Sequence, residues 1–384
     1  MKHILQCHDI ANTNLVRGEN CYLYDDHGKR YVDFEAGCWS AGLGYNHPRI
    51  NQVMKAQIER VIHLGTRYPN ALAEEAAVQV LDITGIRHGK CVFLCSGSEA
   101  VEFSAQIARR LTQKPLLTFT TSYLAAFGSA GKKNPAEWQL FDWSSCTHDV
   151  PCDCLNAIPF ENIGAFVFEP GGSGSESVKF PAPRLVQEIA RRVRQAGGLL
   201  IANEITTGMG RTGKWFGFQH YDVQPDIVAL GKCLGNGYPV SAVAMNQQVA
   251  EKLEAGGFRY VQSHQNDPLG CAIAQEVIAI LREENWIERG NTSGAYLLAG
   301  LQRLAQKHHV IKEARGRGML LVLEFDPQLS PSSETVFQAL FEKGFLVAHI
   351  PARHLIRFDP SLTMKKEDID DFVACLDNIL SNAA

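Results

Sequence analysis

An α/β fold, with a mostly parallel central sheet flanked by helices and a smaller α+β domain beside it, is predicted for this 384-residue chain by three observations. Short apolar runs alternate with helical patterns through the middle of the chain. After residue 270 the texture changes to long amphipathic helices, and polar residues stand immediately after several of the apolar runs. Runs of this kind read as strands buried on both faces, and their alternation with helices implies parallel pairing. Ligands bind at the carboxyl ends of such strands.

The first forty-odd residues carry "CYLYDDHGKRYVDF", a hairpin pattern pivoting on Asp26, His27 and Gly28. Buried strands are expected at 91–95 (CVFLC), 116–119 (LLTF), 164–169 (GAFVFE), 199–203 (LLIAN), 226–230 (DIVAL) and 240–245 (VSAVAM). The plainest helix is "APRLVQEIARRVRQAGG", where Leu185, Ile189 and Val193 share a face and Gly197 supplies the stop. Helices follow at 270–284 and 293–307, then a strand at 319–325, a helix at 333–343, short strands near 346 and 356 and a last helix at 367–380. The predicted division is a large domain over 46–269 and a small one made of 1–45 and 270–384.

Bulk properties narrow the partners. Charged residues are 20% of the chain and the net charge is -4, which leaves no electrostatic footprint for nucleic acid. No run approaches the ~20 apolar residues of a membrane span, and "MKHILQCHDIANTN" has neither the apolar stretch nor the small-residue site of a secretory signal. The 11 cysteines are an odd number and fall in strand-like and helix-like segments, so reduced thiols and a cytoplasmic location are expected. "SSCTHDVPCDC" gathers Cys146, His148, Cys152 and Cys154 but lacks the paired knuckles of a zinc site, so it reads as a polar loop and no metal is expected.

Three strand ends carry chemistry. In "CVFLCSGSEAVEFSAQIARR" a strand, a Ser-Gly-Ser turn and a helix start bring backbone N–H groups and the Ser96 and Ser98 hydroxyls together, as a phosphate site requires. Lys232 follows "DIVAL" and precedes a glycine-rich turn, where partial desolvation would make it an imine-forming nucleophile. Asn203 ends "LLIAN" beside Glu204. Taken singly each has a plainer reading: Ser98 as a helix cap, Lys232 as a solvated loop lysine, Asn203 as a turn-former with a local hydrogen bond.

Taken together and in this chain order they resemble the class III aminotransferases, fold type I enzymes that use pyridoxal phosphate. "SGSEAVEFSAQIAR", "FEP" at 168–170, "GMGRTG" at 208–213, "PDIVALGK" at 225–232, "NDPLGCAIA" at 266–274 and "LIRFDPSLTM" at 355–364 carry the likeness through most of the chain. The resemblance implies that Lys232 is the Schiff-base lysine and proton carrier. It implies that Ser96, Gly97 and Ser98 hold the cofactor phosphate with Ser263 reaching across from a neighbouring subunit, and that Tyr123 stacks on the pyridine ring. It also implies that Arg357 grips a substrate carboxylate, that an amino donor and an oxo acid are the partners, and that the enzyme is a homodimer. Trp39, in the N-terminal loop that enters the site of relatives, is expected either in the substrate pocket or as a core aromatic.

The chain departs from that pattern in places. Asn203 stands where the family has an aspartate paired to the ring nitrogen; an amide brings no charge and can donate its N–H to an unprotonated nitrogen, which weakens the electron sink. Thr206 replaces a glutamine near the cofactor's phenolic oxygen, and Leu124-Ala125 replace a His-Gly pair. "GGSGSES" at 171–177 leaves Glu176 as the candidate partner of the substrate arginine, Gln265 and Asn266 replace glycines, and the stretch from Tyr123 to Glu169 is short. Transamination through a pyridoxamine form is the leading expectation. A pyridoxal-phosphate racemase or epimerase and a non-catalytic descendant are the alternatives, the last opposed by Lys232 and supported by Asn203.

Overall fold

The computed structural model describes residues 3–8, 10–144, 146, 153–171 and 177–382. The chain opens with an antiparallel meander of β1 (Leu15–Glu19), β2 (Tyr22–Asp25) and β3 (Arg30–Asp33). The turn between β2 and β3 is the expected one: Gly28 has φ 83°, and Asp25 Oδ1 accepts from the amides of His27 and Lys29.

The central sheet contains β4 (Lys90–Leu94), β5 (Leu116–Phe119), β6 (Trp138–Phe141), β7 (Ala165–Phe168), β8 (Leu199–Asn203), β9 (Ile227–Leu230) and β10 (Ser241–Met245). Its seven strands run in the order β4-β10-β9-β8-β7-β5-β6. All pairings are parallel except those of β10, which lies antiparallel between β4 and β9. The inner strands β7, β8 and β9 read apolar on both sides because each side faces a different core. Phe166, Phe168, Leu200, Ala202, Val228 and Leu230 join one cluster, while Ala165, Val167, Ile201, Ile227 and Ala229 join the other.

Helices cover both faces accordingly. α1 (Gly97–Thr112) turns Val101, Ala105 and Ala108 to the second cluster; α2 (Pro183–Gln195) turns Leu185, Ile189 and Val193 to the first. Truncating a fully buried side chain such as Phe166 to alanine would cost about 3–5 kcal/mol, because a packed interior does not refill the gap. The strand β6, not expected from the sequence, is an edge strand whose "WQLF" buries only Trp138 and Phe141.

Beyond the sheet, α3 (Pro268–Glu283) and α4 (Trp286–Lys307) lead into β11 (Ile311–Arg317) and β12 (Leu320–Phe325). Then come α5 (Ser333–Glu342), β13 (Phe345–Leu346), β14 (Ala348–Ile350), β15 (Leu355–Phe358) and α6 (Lys366–Asn382). β11, β12, β15 and β14 make a four-stranded sheet, and β13 pairs in parallel with β3. α4 begins at Trp286, earlier than its periodicity predicts. Gly290 and Gly294 read as breakers in sequence, yet they sit in the helix where a Cβ would strike Leu362 and the Gly318 carbonyl. β11 was hidden by its charges, "IKEARGR". Among the described residues no helix is long and apolar enough to cross a membrane.

Candidate active site

Three strand ends of the central sheet meet at one place. Gly97, at the start of α1, has no room for a side chain: a Cβ there would lie 2.6 Å from Ile205 Cγ2. Ile205 follows β8 by two residues, and a Cβ on Gly231, just after β9, would lie 3.2 Å from Ile205 Cδ1 and 3.5 Å from the Gly97 Cα. The turns after β4, β8 and β9 are thus packed backbone to backbone around one isoleucine.

At the first of these turns Ser96, not Ser98, is the helix cap. Its Oγ accepts from the Glu99 amide at 3.3 Å while Glu99 Oε2 accepts from the Ser96 amide at 2.7 Å, a reciprocal capping box. Ser98 instead accepts from the Ala126 amide at 2.9 Å and ties α1 to the loop after β5. The amides of Gly97 and Ser98 belong to the first helical turn and have no intrahelical acceptor, which is what an anion site at a helix start needs.

Lys232 leaves β9 in a left-handed conformation, φ 48°. Its Nζ lies 3.9 Å from the centroid of the Trp39 ring, and the Arg357 guanidinium carbon lies 3.9 Å from that same ring. Burial pushes the Lys232 ammonium down to about 8, with the charges of Glu169 and Asp359 opposing the shift and Arg357 reinforcing it. Arg357 is itself buried and donates from Nε to Asp359 Oδ2 at 2.7 Å. Burial raises Asp359 above the ordinary carboxylate range, against the pull of Arg357 and Arg211.

Trp39 is placed by an unusual backbone. Ala36, Gly37, Cys38 and Trp39 take successive φ values of 46°, 54°, 56° and 66°, a left-handed turn that costs roughly 1–2 kcal/mol for each non-glycine residue. Asp33 holds the turn: its Oδ1 accepts from the Glu35 amide at 2.7 Å, the Ala36 and Gly37 amides face the same carboxylate, and Tyr45 donates to Oδ2 at 2.7 Å. Glu35 is pushed up to about 7 by burial first and by the neighbouring Asp33 and Asp359 charges second. Trp39 is a buried aromatic, 7% exposed, and its ring also touches the lysine and the arginine.

Asn203 is buried at the end of β8 and uses both ends of its amide. Oδ1 accepts from the Ile205 amide at 3.2 Å, the local bond of a turn-former, and Nδ2 donates to the Tyr123 carbonyl at 3.1 Å. Glu204 points the other way, into the core, where its carboxylate accepts from Thr207 Oγ1 and the amides of Gly217 and Phe218. The amide therefore faces the site and the carboxylate braces the loop behind it.

Glu169, at the end of β7, is the central residue that sequence reasoning did not single out. It accepts from the Tyr123 amide at 3.2 Å and from Thr206 Oγ1 at 3.3 Å, and its charge acts on Lys232. Its place just past the end of β7, as Asn203 ends β8 and Lys232 follows β9 by two residues, was the available signal. Asp359 was equally readable as the second residue after Arg357, on the same face of an extended segment. The Tyr123 side chain is half-exposed beside this network. Ser263 is exposed in the turn 263–266, and no hydrogen bond ties it to the other expected site residues among those described; its neighbour Gln262 donates to Glu99 Oε1. Glu176, His148 and Cys152 lie outside the described residues.

These residues fit a phosphorylated aldehyde. The glycine cradle and first-turn amides suit a phosphate, the buried amine of Lys232 suits a carbonyl carbon, and the Asn203 amide retains a second N–H for a ring acceptor.

Comparison with known proteins points the same way. The family described as aminotransferase class-III matches residues 6–130 and 142–380. The acetylornithine aminotransferase of Methanosarcina mazei is 31% identical over 385 residues, covering 98% of this chain and 94% of its own. Among solved structures, the acetylornithine aminotransferase of Elizabethkingia anophelis superposes with a TM-score of 0.86 at 26% identity, covering 99% of this chain and 97% of its own. The ornithine aminotransferase of Toxoplasma gondii, with partial occupancy of pyridoxal phosphate at its active site, gives 0.86 at 26% identity over 97% of this chain and 91% of its own. Each of these is an aminotransferase, and neither a racemase nor a non-catalytic role is favoured by them.

Proposed function

The chain belongs to the class III aminotransferases, which depend on pyridoxal phosphate, and on that premise we propose that Lys232 is the residue that tethers the cofactor and carries the proton at the substrate's α-carbon. The reaction is transfer of an amino group from an amino acid or amine to an oxo acid. The observation that carries the assignment is the position of Lys232 Nζ, buried against Trp39 and depressed to about 8. Near that pH half of its population is the free amine, which can attack a carbonyl and accept a proton. When bound, pyridoxal phosphate supplies the reactive carbonyl and the electron-withdrawing ring.

In this reading Ser96, Gly97 and Ser98 hold the phosphate, and the partner subunit's Ser263 completes its shell in a homodimer. Tyr123 stacks on the ring, Asn203 donates an N–H to the ring nitrogen, and Thr206 faces the phenolic oxygen. Trp39 and Arg357 form the substrate side. Because Arg357 is already paired with Asp359, a substrate carboxylate would meet a partly compensated cation, so its grip is weaker than that of an unpaired fork. The working units are a large cofactor domain over 46–269 and a small domain of 1–45 and 270–384, in a cytoplasmic enzyme.

The test is the absorbance of the purified protein with pyridoxal phosphate, before and after single amino donors with no acceptor present. Acetylornithine and ornithine come first, since relatives are named for them. Replacement of the visible band by the near-ultraviolet band of the aminated cofactor supports the reading. A stable visible band with every donor, together with solvent deuterium entering the donor's α-carbon, would sink it in favour of racemisation.

A further inference from the structure

Outside the active site, His63, His264 and Asp267 converge, with His63 standing 204 residues before Asp267. Asp267 precedes α3 but makes no side-chain cap to it. Its oxygens face two imidazoles instead: Oδ1 lies 2.6 Å from His63 Nδ1 and Oδ2 lies 2.5 Å from His264 Nδ1. The two rings are 4.6 Å apart between centroids, and one ligand atom from each of the three residues lies within 4.8 Å of the others.

We propose that these three side chains form a binding site for a divalent transition-metal ion of the zinc class. Two imidazole nitrogens and one carboxylate oxygen suit Zn2+, Co2+ or Ni2+; the set is too nitrogen-rich for Mg2+ or Ca2+ and has no thiolate to draw Cu+. With metal–ligand bonds near 2.1 Å, tetrahedral ligand atoms stand about 3.4 Å apart. The present contacts reach that spacing by an outward shift of under about 1 Å per ring, the metal taking the place of the shared protons. The side chains of His63 and His264 are 42% and 57% exposed, so the ion has an entry path and water can complete its shell.

The backbone beneath is held on every side. Asn266 exchanges hydrogen bonds with Phe93 on β4, its amide donating to the Phe93 carbonyl at 3.0 Å and its Oδ1 accepting from the Phe93 amide at 2.8 Å. Asn70 Nδ2 donates to the Asn266 carbonyl at 2.9 Å, which joins the loop after His63 to the segment before Asp267. Gln265 and Asn266, the residues that replace the family's glycines, lie between the two ligands of that segment. An ion here would lock the turn that carries Ser263 against the end of β4, next to the phosphate turn.

The test uses the full-length, cofactor-loaded protein with any purification tag removed, stripped with EDTA and desalted. Co2+ is titrated by its visible absorbance and then displaced with Zn2+. One Co2+ per chain is expected, unaffected by excess Mg2+, with affinity at least about 10-fold weaker in His63→Gln and in His264→Phe, since losing a direct ligand costs no less than losing its supporting partner. Circular dichroism and the donor half-reaction, run in EDTA, report whether each variant is folded. No binding in the unsubstituted protein overturns the proposal. So does binding that survives both substitutions, which would put the ion on the exposed His3 or His8. A failed half-reaction with intact Co2+ stoichiometry counts against the amino-transfer reading and not against this site.

Discussion

The indole of Trp39 lies against two cations at once, Lys232 Nζ and the Arg357 guanidinium carbon, each 3.9 Å from the ring centroid. Both are attracted to the ring's negative face, and the same ring keeps water from the lysine. The pocket is therefore tuned by an aromatic residue as much as by its charges.

Trp39→Ala readmits water to Lys232, and the free amine becomes harder to form. The midpoint of the pH dependence of cofactor tethering, followed by absorbance during reconstitution, should move upward from about 8 toward the ordinary lysine value. A midpoint that stays in place would show that the indole contributes no desolvation.

Glu169→Gln should move the same midpoint in the opposite direction. The Glu169 charge is the largest influence opposing the desolvation of Lys232. Removing the charge while keeping a side chain that can still accept from the Tyr123 amide lowers the lysine further, so tethering should proceed at lower pH. An upward shift would contradict the electrostatic assignment.

Gly97→Ala tests the cradle. The new Cβ would lie 2.6 Å from Ile205 Cγ2, and relieving such overpacking costs about 1–3 kcal/mol, or roughly 5- to 150-fold in cofactor affinity if the turn moves. The double variant Gly97→Ala with Ile205→Ala should recover most of the loss in a fluorescence titration with pyridoxal phosphate. Equal weakness in single and double variants would place the sensitivity elsewhere.

Asn203→Asp should separate the cofactor-free and cofactor-bound enzymes. Nδ2 now donates to the Tyr123 carbonyl; a carboxylate there sets two acceptors face to face, costing about 1–3 kcal/mol without cofactor. A protonated ring nitrogen would relieve that conflict. Thermal unfolding should show a lower midpoint without pyridoxal phosphate and a larger gain on adding it than in the unsubstituted protein. Equal gains would argue against contact between residue 203 and the ring.

The buried strands of the sheet were legible because each is apolar on both faces, a pattern that a strand such as β7 cannot carry anywhere else. Strands with a charged or half-polar face, β11 and β6, were not legible, since nothing local distinguishes "IKEARGR" from an exposed loop. The site divided along the same line. Lys232, Asn203 and the Ser-Gly-Ser turn stand out because they interrupt apolar runs. Asp33, whose role is to hold a left-handed turn, and Asp359, whose role is to compensate Arg357, bond to residues only two positions away, but nothing in that short window shows that both carboxylates are buried, which the packing of distant segments decides. The division of labour between Ser96 and Ser98 was likewise decided by the Ala126 amide, 28 residues away.

The parallel pairing of β3 with β13, and the contact of Trp39 with Arg357, have a bearing on how the enzyme is made. Synthesis runs from the N-terminus, and domains form as they emerge. A nascent chain that has reached β10 already possesses Lys232, Asn203 and the Ser-Gly-Ser turn, yet the outer edge of β3 still lacks β13 and the indole has no guanidinium to rest on. The contact of Trp39 with Arg357 waits for β15 to leave the ribosome. A chain interrupted before that point would keep Lys232 but not the Arg357–Asp359 pair that stands across the indole from it.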